Sequence, residues 1–236
     1  MTLGHLRSGA PAPSGYWRSC VATASALTPE RAIAQAGAAD ARQCIAARAS
    51  HSPGNTAILL RDGADVSIRA IARTDSFLLK DFYDRLSATS LYLRFQRAVR
   101  EVSQAYCESM CSVDMAAEVA LVACVSEAAR WRVVADARYV VPPGTRDAEL
   151  AIVVADAWQR RGLGARMLAQ LFCCAMSRGI ETLFGEALHD NMAVRELATK
   201  YGARLHFTRG GTSRISIELR PLVQAHGDQL IKYSDS

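Results

Sequence analysis

From about Asp65 onward the apolar and polar positions fall into regular patterns. Val66-Ser67-Ile68-Arg69-Ala70-Ile71 alternates with a period of two, which predicts a strand. Phe77, Leu78, Phe82 and Leu86 then recur at helical spacing. They predict an amphipathic helix from about Asp75 to Leu86, with Thr74-Asp75 supplying N-cap chemistry. Ser87-Ala88-Thr89-Ser90 interrupts the pattern, and Leu91-Tyr92-Leu93-Arg94-Phe95 follows as a short aromatic segment. A second helix is expected through Val102, Tyr106 and Met110. Three apolar, β-branched runs predict three strands: Ala117 to Val125, Arg132 to Val140, and a run centred on Leu150 to Val154. Leu163, Met167, Leu168, Leu171, Phe172 and Ala175 mark a long helix. Glu181 to Leu188 reads as a strand, Asn191 to Tyr201 as a helix with Gly202 as its C-cap, and Arg214 to Leu219 as a closing strand. This order predicts a mixed α/β fold around a central sheet.

One stretch carries candidate chemistry. The strand ending at Val154 runs into Gln159-Arg160-Arg161-Gly162-Leu163-Gly164 and then into the long helix. A glycine-bearing turn at a helix N-terminus leaves backbone N–H groups free and lets an anion approach closely. Such helix ends hold phosphates. A dinucleotide-binding fingerprint is excluded, because its third glycine falls at Met167. A P-loop is excluded by the absence of Gly-Lys-Ser/Thr.

Residues 1–62 differ in composition: Ala, Ser, Pro and Gly dominate and large apolar residues are few. They are expected to form a weakly structured extension, ahead of a domain over 65–220 and a short polar tail over 221–236. Arg7, Arg18, Arg31, Arg42 and Arg48 face only Glu30 and Asp40 in the first sixty residues, so much of the net charge of +5 lies there. No basic face interleaved with aromatics points to nucleic acid. No apolar run is long enough to span a bilayer, and no secretory signal opens the sequence, so a cytoplasmic location is expected. The seven cysteines include no C-x-x-C pair, which argues against a zinc knuckle or a disulfide framework.

Gln159-Arg160-Arg161-Gly162-Leu163-Gly164 matches the Q/R-x-x-G-x-G/A signature of the GNAT acetyltransferases, and the element order from Asp65 to about Leu219 resembles that fold. Two segments resemble a narrower branch, the bacterial Pat-type protein lysine acetyltransferases: Leu86 to Phe95, and Gly185-Glu186-Ala187-Leu188-His189-Asp190-Asn191. The resemblance implies a mixed, mostly antiparallel central sheet flanked by helices, acetyl-CoA as cofactor, and a protein lysine or other primary amine as acceptor. Acyl-CoA synthetases are among the targets it suggests. It also implies a splayed pair of strands, where Ile152, Val153 and Val154 offer backbone groups to the pantetheine amides. Gln159 opens the cofactor signature. The pyrophosphate takes N–H groups from Arg161, Gly162, Leu163, Gly164 and Ala165, with a charge from Arg160 or Arg161. Asn191 matches the position that hydrogen-bonds the pantetheine arm, and it fits a helix N-cap equally well.

Lysine at neutral pH is an ammonium ion, so attack on a thioester needs a general base. Glu149 is the candidate: alternation places it on one face with Ala151 and Val153, and the Pat-type resemblance puts the catalytic glutamate there. Glu186 on the next strand is the second choice, and His189 acting through a water the third. The tyrosine that relatives place seven residues after the helix Asn is Ala198 here, and Tyr201 lies one turn further. Two other readings stay open: a small-amine acetyltransferase, and an acyl-CoA-binding module without turnover.

Overall fold

The computed structural model describes residues 55–114, 116–128, 130–189, 191, 201–208 and 211–219. Its strands are β1 (Thr56–Leu59), β2 (Asp65–Ala70), β3 (Glu118–Glu127), β4 (Arg130–Val140), β5 (Asp147–Val154), β6 (Thr182–Leu188), β7 (Arg204–Phe207) and β8 (Thr212–Glu218). The helices are α1 (Ser76–Asp84), α2 (Ala88–Phe95) and α3 (Gln104–Cys111), all between β2 and β3, and α4 (Leu163–Ser177) between β5 and β6. One sheet runs in the order β1-β2-β3-β4-β5-β6-β8-β7. Every neighbouring pair is antiparallel except β5–β6, which is parallel. A parallel pair needs a crossover, and α4 supplies it.

Period-two alternation divides the central strands between two cores. Leu150, Ile152 and Val154 join Leu163, Met167, Leu168, Leu171 and Phe172 of α4 on one face. Val153, Val122, Cys124 and Val133 meet Leu79, Phe82, Leu91, Phe95 and Met110 of α1–α3 on the other. The thiols of Cys107 and Cys111 belong to that second core, and burial pushes them up to about 12 and about 11. They act as small apolar residues.

Three expectations change. Thr56–Leu59, expected in the extension, forms β1 and pairs with Asp65–Ile68 of β2, so the sheet starts before Asp65. Ser87 to Ser90, expected to interrupt helical structure, starts α2: the Ser87 hydroxyl accepts the Ser90 N–H at 3.1 Å, the geometry of an N-cap. The aromatic segment is therefore helical. Strand β7 was not anticipated; it has four residues, none of them fully buried, and so lacks a clear alternation. The expected helix beyond Asn191 and the tail beyond residue 220 lie outside the described residues.

A charged cluster binds α1–α3 to the sheet. Asp136 on β4 is 0% exposed. It accepts from the Tyr83 hydroxyl at 2.9 Å and from Arg138 at 2.8 and 3.2 Å, and it faces the Arg94 guanidinium at 3.7 Å. Arg138 also reaches Glu118 and the Met110 carbonyl, each at 3.1 Å. Burial alone lowers the Arg138 pKa, but Asp136 beside it outweighs burial and raises it. Replacing Asp136 with Ala leaves two buried guanidinium groups facing an uncompensated site. Urea denaturation is expected to show a loss of about 3–5 kcal/mol. The exposed Arg146–Glu181 pair is the contrast: Arg146→Ala is expected to leave the midpoint where it is.

Candidate active site

The two parallel strands part company soon after they meet. Pairing of β5 with β6 covers only Asp147↔Thr182, Ala148↔Leu183 and Glu149↔Phe184. Beyond Glu149, β5 continues to Val154 against β4, while β6 continues to Leu188 against β8. The strands form a fork with Glu149 and Phe184 at its apex.

Alternation fixes which groups enter the fork. The Ala155 N–H donates to the Val134 carbonyl at 2.8 Å, so Val153, two residues earlier, turns its peptide groups to Asp136 of β4. Ile152 and Val154 therefore turn theirs toward the fork, and the Val154 carbonyl accepts from the Gln159 side chain at 3.1 Å. Val153 instead lends its side chain to the core beneath α1–α3. Strand-edge groups left outside the β5–β6 ladder suit an extended amide-bearing ligand.

At the far end of β5 the chain makes the turn that opens α4. Arg160 and Gly162 both have left-handed backbone, with φ of 59° and 91°. Gly162 is the N-cap residue of α4, and no acidic side chain occupies the first turn. Leu163, Gly164 and Ala165 are buried behind it. Their N–H groups belong to the first turn of a fifteen-residue helix, where the dipole favours an anion. The two arginines differ. Arg161 is engaged by Asp62 from the β1–β2 turn and lies 4.2 Å from the Trp158 ring centroid. That hydrogen bond holds the Asp62 carboxyl below its usual range. Arg160 is exposed and has no ion pair among the described residues.

Gln159 has a structural duty that the sequence did not reveal. Its side-chain amide donates to Ser90 Oγ and to the Val154 carbonyl, each at 3.1 Å. Asp156 completes the clamp: it accepts from the Ser87 N–H at 2.9 Å, from Ser87 Oγ at 2.6 Å and from Ser90 Oγ at 2.8 Å. Burial alone raises the Asp156 carboxyl, yet these donors outweigh it and hold it below its usual range. The start of α2 is thereby fastened to the turn ahead of α4. At the other end of α2, Gln96 (φ 50°) donates its side-chain amide to the Glu186 carbonyl at 2.7 Å. One short helix thus touches both arms of the fork. The signals were Ser87 as an N-cap and a non-glycine residue after the helix, both legible only once α2 is known to be a helix.

The titratable candidates separate by face. Glu149 is half-buried and lies opposite Ala148 and Leu150 of the α4 core, so it points to the side of α1–α3. Glu186 shares that side, opposite Leu183 and Ala187. His189 turns the other way, with Nδ1 2.7 Å from the hydroxyl of buried Ser213 and its ring 5.1 Å from that of Phe207. Tyr201 packs edge-on against Phe172 of α4 at 5.2 Å, and burial pushes its hydroxyl up to about 12. Neither His189 nor Tyr201 faces the side on which Glu149 lies. The Asn191 N–H donates to the Leu188 carbonyl at 3.1 Å, which places it just beyond the tip of β6.

One family match covers the fork, the glycine turn and the helix N-terminus together. The acetyltransferase (GNAT) family model matches residues 78–203, more than half of the chain. The chain belongs to the GNAT acetyltransferases and is an N-acetyltransferase of that fold. It is 29% identical over 143 residues to Acetyltransferase PA5475 of Pseudomonas aeruginosa, covering 61% of this chain and 77% of that one. It is 36% identical over 118 residues to Acetyltransferase Pat of Mycolicibacterium smegmatis, covering 50% of this chain and 34% of that one. Among solved structures, the GNAT domain of S. lividans PAT superposes with a TM-score of 0.62 at 26% identity, covering 70% of this chain and 96% of that one. The match to Pat therefore spans about a third of that relative's length.

Family members use acetyl-CoA as cosubstrate, and the fork and turn fit it. A side chain at Gly162 would meet open space, since nothing lies within 4 Å of an added Cβ. The cost of Gly162→Val is thus backbone strain at φ 91°, about 1–2 kcal/mol. Its expected effect is a loss of acetyl-CoA affinity of about tenfold or more, read by calorimetry, with the circular dichroism spectrum retained.

Proposed function

We propose that the protein transfers the acetyl group of acetyl-CoA to primary amines, with lysine side chains of proteins as its acceptors and Glu149 as general base. The observation that carries this reading is the apex of the fork. Strand pairing stops at Glu149↔Phe184, so the carboxylate lies where the opened strands begin. Ile152 and Val154 bind the pantetheine amides through their fork-facing peptide groups. The N–H groups of residues 161–165 bind the pyrophosphate, with Arg160 adding charge. Asn191, beyond the tip of β6, holds the pantetheine arm.

Glu149 takes a proton from the acceptor ammonium and leaves a neutral amine, which attacks the thioester carbonyl. Backbone N–H groups of the fork stabilise the oxyanion that develops. With Tyr201 buried against Phe172, the leaving thiolate takes its proton from water. Glu186 is the alternative base, because it faces the same side.

A protein acceptor suits the exposure of the sheet. On the side of α1–α3, the residues of β3 and β4 are sealed: Val122, Asp136 and Arg138 are 0% exposed. Across β8 and β7 on the same side, Arg214, Glu218, Arg204 and His206 are exposed. An open floor beside a helical wall favours a macromolecule over a small amine. Acyl-CoA synthetases, which the Pat-type sequence resemblance suggests, are the first acceptors to assay.

Glu149→Gln is expected to lower kcat by about a hundredfold or more while leaving the acetyl-CoA Kd unchanged. Undiminished turnover would assign the base elsewhere, with Glu186→Gln as the next variant. A wild-type protein that binds acetyl-CoA yet labels neither lysate proteins nor small amines would be a binding module.

A further inference from the structure

The open floor carries a cation held over an aromatic ring, with no ion pair among the described residues. Sheet register sets two rows on the side that Glu149 faces. The first runs Glu149, Phe184, Ser216 and Arg204 across β5, β6, β8 and β7; the second runs Glu186, Arg214 and His206. Arg214 does not stay in its own row. Its guanidinium carbon lies 3.9 Å from the centroid of the Phe184 ring, so the charge leans into the row that contains Glu149.

We propose that Arg214 is a specificity-determining residue that selects acceptor lysines flanked by an acidic residue. The proposal rests on the acetyl transfer to protein lysines argued above. Three observations carry it. Arg214 is exposed and has no ion pair among the described residues, whereas Arg204 in the neighbouring row is taken by Glu218 at 2.9 Å. Stacking on an aromatic face fixes a guanidinium in position without using its N–H donors. Those donors, in a planar fork, match the two oxygens of a carboxylate. Phe184 is also the residue directly paired with Glu149, so a carboxylate bound over it lies next to the reacting amine.

The charge arithmetic points the same way. An acceptor enters this floor as an ammonium ion; the carboxylates of Glu149 and Glu186 attract it, and the fixed cation of Arg214, in register with Glu186, opposes it. An acidic neighbour on the acceptor cancels that opposition and gains the guanidinium's hydrogen bonds; a basic neighbour increases it. The floor therefore ranks lysines by their flanking charge.

The test uses the full chain, acetyl-CoA and peptides with one lysine flanked by Glu, Gln or Arg. The wild type is expected to favour the Glu-flanked peptide over the Gln-flanked one by about tenfold in kcat/KM, and the Arg-flanked peptide is expected to be poorest. Arg214→Gln is expected to level the series, and Arg214→Glu to reverse it, with the acetyl-CoA Kd unchanged in both. Reversal is a readout that a purely structural arginine would not give. A wild type that acetylates all three peptides equally, or an Arg214→Glu variant that keeps the wild-type order, overturns the role of Arg214 and leaves the transferase reading standing. Acetyl-CoA binding with no transfer to any peptide overturns both together. Free lysine acetylated as well as the Glu-flanked peptide overturns the protein acceptor, and this proposal with it.

Discussion

The site depends on a strand pair that stops pairing. β5 and β6 are the one parallel pair among the described strands, and only three residues of each are in register. Had the ladder continued, Ile152 and Val154 would bond to β6, and the strand edge proposed to take the pantetheine amides would be consumed. The divergence leaves buried polar groups without strand partners, an arrangement that a folded protein tolerates where a ligand completes it. Glu149 owes its position to the same event, because it is the last residue of β5 in register with β6.

Keeping a fork open requires that its arms be held from outside. On the β5 arm, Asp156 and Gln159 fasten the turn to Ser87 and Ser90 at the start of α2. On the β6 arm, Gln96 at the end of α2 takes the Glu186 carbonyl. Helix α2 is thus a strut between the arms. It is seated in turn on Asp136, which gathers Arg94, Arg138 and Tyr83 beneath α1 and α2. The buried cluster, the strut and the fork form one mechanical chain from the core to the site.

Much of this was legible in the sequence, and the rest was not for physical reasons. The strand–turn–helix from Asp147 to Ser177 declares itself because a β-branched run, two glycines and a strong apolar stripe coincide. The two-core division also follows from alternation, which is why Glu149 could be assigned to the face it occupies. Strand β7 has four residues and no clean pattern, so only its pairing with β8 identifies it. β1 sits in a stretch of Ala-, Ser- and Gly-rich composition and is defined by its register with β2. Helix α2 was obscured because Ser87 and Ser90 read equally as a break or as a cap. The clamp on Gln159 depends on contacts 69 residues apart in sequence, beyond any local pattern.

The central claim is that the fork edge and the α4 turn are one continuous binding track for acetyl-CoA. Residue-resolved amide hydrogen exchange, with and without acetyl-CoA, addresses it directly. The account predicts new protection at Ile152 and Val154 and at residues 162–165, with Val153, already turned toward β4, little changed. Protection confined to other elements, or none along β5 with the ligand bound, would contradict it.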